Sequence, residues 1–243
     1  MNQHPLASKY SAVWEKTLAN GELKLDEINK SRFFFEVDGS GVLIMENSAP
    51  VPKHFDTYAI VCFPLHNALH QMLDDLWEQF LLLVKNPIAY GVRPQNRHVE
   101  IFLFQRPGEL FTEPEVLRGI NRSLRVSQTM SPFKIAFYYP FLTPDGTIVV
   151  PGLDEPAGTV DNFRNKLRAE LQTYPQKQSQ WVHISLGRIL EPIDTVRLKP
   201  LLYLMQSHRD QRIGEVLVNE LIWTWEKQWY MTDKKILHRR RLS

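Results

Sequence analysis

A single cysteine, Cys62, stands in 243 residues, which excludes an intrachain disulfide and any zinc site built on several thiolates. It lies inside the apolar run YAIVCFPL, where a buried structural thiol is expected rather than a nucleophile. Charge of one sign is equally scarce. With 29 Lys and Arg against 27 Asp and Glu, the net +2 is too small for a broad electrostatic face. Long apolar runs are missing too: the stretch 80–84 is among the longest and stops at Lys85, far short of the ~20 residues that cross a bilayer. No membrane partner is expected. The opening MNQHPLASKY lacks the basic-then-apolar order of a secretory signal, so the expectation is a soluble, cytoplasmic, monomeric protein. No low-complexity linker interrupts the chain, and 43% apolar content suffices for a real core.

What is present is an alternation of strand and helix patterns. Residues 1–55 mix polar runs with FFFEV and GVLIM, whose separation by Asp38-Gly39-Ser40-Gly41 predicts a hairpin; helical pattern before it is weak. YAIVCFPL predicts a buried strand ended by Pro64. After it Leu65, Leu69, Met72, Leu73, Leu76, Phe80 and Leu83 recur at helical spacing. HVEIFLF alternates, which in an extended chain sets His98, Glu100, Phe102 and Phe104 on one face. Thr112 and Glu115 form a capping box for a helix to about Ser127. FKIAFYYPFL and TIVV flank Pro144-Asp145-Gly146 as a hairpin. A helix follows with Val160, Phe163, Leu167, Leu171 and Tyr174 inward and Thr159 as its cap. QWVHISLGRI alternates again, with His183, Ser185 and Gly187 on one face. Residues 194–208 suit a helix that Pro200 would kink or delay. VLVNELIWTWEKQW and KKILHRRRL predict a final hairpin through Thr232-Asp233.

An early strand, a long helix and a histidine-bearing strand thus occur twice, over residues 58–104 and roughly 133–189, as in a diverged duplication. Two lobes about a pseudo-two-fold axis would point His98 and His183 into the groove between them, where one substrate reaches both. The expected fold is α+β and bilobed: two pseudo-symmetric, mostly antiparallel sheets facing a central cleft, with helices outside. Residues 1–55 are expected as an N-terminal extension with a hairpin, and 56–243 as one bilobed domain.

WVHISLGRI, with His183 and Ser185, and RHVEIFLF, with His98, resemble the two His-x-(Thr/Ser) motifs of the two-histidine phosphoesterase superfamily. That superfamily includes cyclic phosphodiesterases and RNA 2′,5′ ligase-like proteins. The resemblance runs from about Phe55 to the C-terminus in element order. It implies a metal-independent phosphodiesterase acting on a small nucleotide or an RNA terminus, without a cofactor. His98 and His183 would be the general acid and base, and Ser185 would hold a non-bridging phosphate oxygen. Imidazole suits both roles because its unperturbed pKa of about 6.5 lets one ring accept a proton while another donates.

The first motif departs from the family at Glu100, which stands where a hydroxyl is usual. An ionised carboxylate has no donor for a phosphate oxygen and repels it. Three readings are open: a protonated Glu100, a carboxylate that binds an amine or ribose hydroxyl, or a silent fold that binds nucleotide, RNA or protein without turnover. A metal held by His98, Glu100 and His183 is chemically permitted as a fourth.

Other candidates have plainer explanations. His66 and His70, at i and i+4, could grip zinc but lack a third ligand. Trp181, Trp223, Trp225, Trp229, Tyr138 and Tyr139 are expected mostly in the core, with one or two bordering the cleft. Lys234, Lys235, His238 and Arg239 to Arg241 form the one basic cluster, a solvated tail with phosphate contact as the alternative. Arg93, Arg97 and Arg188 lie near the motif strands. Strict alternation turns Arg188 away from the histidine face, toward a surface ion pair.

Overall fold

A computed structural model of the chain describes residues 4–63, 65–109, 111–171 and 174–243; Pro64, expected to end a strand, lies outside them. The N-terminal region holds two helices, α1 (Pro5–Asn20) and α2 (Leu25–Arg32), where the sequence pattern is weak. In α1 the buried Leu6, Tyr10 and Trp14 recur every fourth residue among polar neighbours, a stripe about one side chain wide. The helix is delimited by its ends: His4 accepts from the Leu6 N–H at 3.1 Å, and Gly21 closes it at φ 67°. The turn over residues 38–41 forms, but the pairing beside it shrinks to single bridges, Val37 with Leu43 and Phe35 with Pro52. A two-residue pair, β1 (Met45–Glu46) with β2 (Ala49–Pro50), follows.

The first histidine lobe then begins with β3 (His54–Cys62), α3 (Asn67–Leu83), β4 (Ala89–Gly91), β5 (Val99–Gln105) and α4 (Glu113–Val126). The second comprises β6 (Phe133–Tyr138), β7 (Phe141–Leu142), β8 (Thr147–Glu155), α5 (Thr159–Glu170) and β9 (Val182–Ile189). Last come α6 (Thr195–Ser207), β10 (Arg212–Val218), β11 (Glu220–Gln228) and β12 (Lys234–Arg241). The large sheet runs β10-β6-β8-β9-β5-β3-β11-β12, with β4 beside β9 and β7 beside β8. Its two four-stranded halves meet where Val99 opposes Ile184. The sheet is not a closed barrel, and the bilobed α+β architecture is the one expected. Helices pack outside it, through Leu73 and Phe80, Val116 and Ile120, Phe163 and Leu167, and Leu198 and Leu201.

Several local expectations are corrected. VLVNELIWTWEKQW is two strands, since β10 ends at Val218 on β6 and the chain crosses through Asn219 to β11 in the other half. Pro200 lies inside α6, which Asp194 caps by accepting the Arg197 N–H at 2.9 Å. Thr159 is the first helical residue rather than the cap; Asp154 takes the Val160 N–H at 2.7 Å.

Two bulges matter most. On β5 the register steps from Glu100–Val61 to Phe102–Ile60, and on β9 from Ser185–Val149 to Gly187–Ile148. Each inserted residue reverses the alternation beyond it. Phe102 and Phe104 therefore enter the main core while Leu103 joins Val61 and Ile222 on the other side. Gly187 faces α3, where a Cβ would fall 2.4 Å from the Trp77 ring.

Candidate active site

Val99 opposes Ile184 in the one bridge between β5 and β9, and the residues flanking that pair are His98 and Glu100 on β5 and His183 and Ser185 on β9. These four side chains are half-buried, while Val99, Val182, Ile184 and Leu186 are buried on the opposite face. A charge on His98 would act on His183, so the two imidazoles are neighbours on that face. Each has an aromatic flank: Phe63 at 5.9 Å from the His98 ring, and Trp181 edge-on at 5.5 Å from His183.

The two rings differ in what holds them. His98 Nδ1 lies 2.8 Å from the Asn96 carbonyl, which can only accept, so Nδ1 carries the hydrogen and Nε2 keeps its lone pair. Asn96 is itself fixed, its Oδ1 accepting from Lys234 Nζ at 2.7 Å. Burial drives the His98 pKa down to about 4, opposed by the Asn96 hydrogen bond and helped by the Lys234 charge. Burial likewise holds His183 at about 3, with the charges of Arg164, His98 and Arg188 adding to it. Both rings are neutral at pH 7. An anion between them would favour the charged form and raise these values by ~1–3 units. Imidazole C2–H resonances should then show neither ring titrating above about pH 5 in buffer alone, and at least one moving up when inorganic phosphate is added. Identical titrations in both conditions would mean that phosphate does not bind between the rings.

Arg164 of α5 escaped the sequence reading although it is fully buried. Its Nε donates to the Ile101 carbonyl at 2.8 Å, and its Nη2 to Glu100 and Trp181 carbonyls at 3.0 and 2.8 Å. It fills the seam where β5 and β9 part, supplying donors that a continued ladder would have provided. A signal was present: Arg164 falls on the apolar stripe between Val160 and Leu167.

Arg188 corrects a second expectation, because the β9 bulge returns it to the side of His183 and Ser185. Its Nη1 donates to Ser31 Oγ at 2.7 Å and lies 3.5 Å from Asp145, while its guanidinium sits 4.9 Å over Phe34. The N-terminal region thus supplies two of its neighbours. Glu100 has its pKa raised by burial, against the charges of Arg164 and Arg106. Glu226 of β11 lies nearby, buried opposite Thr57. Burial pushes it up to about 8, offset in part by the Met231 N–H it accepts at 2.7 Å and reinforced by Glu100.

Apart from Trp181, Arg188 and Lys234, the other candidates have structural partners elsewhere. His66 caps α3, accepting from Leu69 N–H at 3.3 Å, and His70 follows one turn on. Among the described residues no three His, Cys, Asp or Glu side chains are placed to hold a metal ion. Cys62 is buried, which pushes its thiol up to about 12. Arg97 is buried against the Val92 and His70 carbonyls and pairs with Asp74. The basic cluster is an ordered strand at the sheet edge rather than a tail.

No family model matches the sequence, and no curated protein matches it. Solved structures do. Escherichia coli LigT complexed with 3′-AMP aligns over 78% of this chain and 98% of its own, with TM-score 0.52 and 12% identity. LigT complexed with ATP gives 0.51 at 13% identity over 78% and 99%, and a phosphoesterase gives 0.51 at 12% over 77% and 99%. The chain shares the fold of LigT. At such identities the likeness concerns the fold alone, and no helix among the described residues is long and apolar enough to cross a membrane.

Proposed function

We propose that the chain is a metal-independent phosphodiesterase acting on a small nucleotide or an RNA terminus. The observation that carries the proposal is the pairing of β5 and β9, which gathers His98, Glu100, His183 and Ser185 on one face of the seam. His98, held as the Nδ1–H tautomer, uses Nε2 to take the proton of the attacking water or ribose hydroxyl. His183, protonated as the phosphate charge arrives, returns a proton to the departing oxygen. Ser185 donates to a non-bridging oxygen, and imidazolium and hydroxyl donors meet the charge developing on phosphorus. The LigT complexes with ATP and 3′-AMP favour a nucleotide as the substrate class. Residues 1–55 are read as an extension that serves this frame, since Ser31 and Phe34 both border Arg188.

Glu100 fits the reaction when protonated, and its raised pKa favours that form. A neutral carboxyl donates one hydrogen bond, as the usual hydroxyl would. Ionised, it would repel the phosphate, and this one residue favours the second reading: a groove that binds nucleotide, RNA or protein without turnover. An assay with 2′,3′-cyclic nucleotides, ADP-ribose cyclic phosphate and 2′,5′-linked oligonucleotides, with EDTA present, tests both. We expect turnover that declines as pH rises through the Glu100 pKa, and a Glu100→Thr variant that lacks this decline. Turnover by the threonine variant alone would establish that the carboxylate silences the site. Absence of turnover in both proteins would sink the proposal.

A further inference from the structure

Near His98 lies a groove of about 320 Å³ that the proposed reaction does not use. Cys62 and Phe63 at the end of β3 and Ile222 of β11 form its floor. The crossing from β10 to β11 at Leu217 and Asn219 makes one wall, and β12 the other. The register of β12 sets Lys234 opposite Glu226, Ile236 opposite Thr224, Arg239 opposite Ile222 and Arg241 opposite Glu220. The bulge opposite Trp223 and Thr224 keeps all four on the groove side, which makes a row of three cations with one isoleucine among them. Glu220 faces this row, accepting from Arg239 at 2.7 Å.

Phe63 connects the groove to His98. Phe63 stands 5.9 Å from the His98 ring, with Lys234 Nζ 5.5 Å over its face. A group joined to the phosphate on the His98 side would therefore enter here. It would meet an aromatic face, the aliphatic Ile222 and Ile236, and the amides of Gln95 and Asn219. A flat heterocycle with donors and acceptors on its edge matches that lining. Farther out, Arg239 and Arg241 repeat at the two-residue interval of a strand, about 7 Å, close to the step between phosphates in an extended single strand. The chain's net charge is only +2, so this row is a local concentration rather than part of a general basic surface.

We propose that this groove is a nucleobase subsite on the His98 side of the reacting phosphate, and that Arg239 and Arg241 hold the phosphates of a single-stranded oligonucleotide running on from it. The placement relative to His98 rests on the phosphodiesterase reading; the binding does not. Fluorescence anisotropy with a 5′-labelled penta-uridylate, competed by uridine 3′-monophosphate, tests it across a salt series. The oligonucleotide should bind at least ~10-fold more tightly than the mononucleotide, and Arg239→Ala/Arg241→Ala should lower the salt slope by about 1.4, or ~0.7 for each lost phosphate contact. Equal affinity of the two ligands, or a salt slope untouched by the double substitution, would overturn the subsite even where cyclic nucleotides are hydrolysed. Arginine-dependent oligonucleotide binding by a protein that hydrolyses nothing would uphold the subsite while removing the catalytic reading.

Discussion

Either His98→Ala or His183→Ala is expected to lower kcat on a 2′,3′-cyclic nucleotide by ~10²–10⁴-fold, with a much smaller change in affinity for 3′-AMP. Each ring carries one proton transfer of the same turnover, so the double variant should be little worse than either single one. The two losses should differ in pH dependence. His98 is held by Asn96 as the base, so its removal should abolish the acid limb of the rate profile, which loss of His183 should leave in place. Stability supplies an independent readout. In the unfolded chain both rings titrate near 6.5, whereas in the folded protein they titrate at about 4 and about 3. Their contribution to stability is present above pH 6.5 and is lost as pH falls through those folded values. Both alanine variants should therefore resist acid unfolding better than the parent protein. Retention of more than about half the parental kcat by both single variants would remove the pair from the reaction.

The pairing of these residues was legible because alternation and duplication are both carried by apolar positions. His98 and His183 sit between buried valines, leucines and isoleucines at a spacing of two, and that pattern survives packing. The same rule failed beyond the bulges. An inserted residue leaves no mark in the order of apolar side chains, so Phe102, Gly187 and Arg188 were assigned to the wrong faces. The split at Asn219 was hidden for a related reason: β10 and β11 are both strands, and the chain changes lobes without a glycine or proline. Arg164 and Lys234 illustrate a third limit. A cation's partners are carbonyls remote in sequence, and only the assembled seam shows that Arg164 reaches Ile101, Glu100 and Trp181 together.

Arg164→Met should be strongly destabilising. The methionine matches much of the buried volume yet leaves three buried carbonyl oxygens without their donor, each costing ~1–3 kcal/mol. Against a typical domain stability of ~5–15 kcal/mol, the variant would sit near the limit of folding. Its Tm should fall by ~10 °C or more, at ~2–4 °C per kcal/mol for a chain of this size. Arg164→Lys separates geometry from charge. A compact ammonium cannot span the three carbonyls as the planar fork does, but it keeps the positive charge that lowers the His183 pKa. The lysine variant should therefore lose stability while His183 still titrates near its parental value, and the methionine variant should also show that pKa raised. β5 and β9 share a single bridge at Val99–Ile184. With the guanidinium gone the two histidine strands lose the clamp that fixes their separation, so the lysine variant should show a larger fall in kcat than rise in KM. A lysine variant with parental kcat and Tm would show that the single bridge holds the strands unaided.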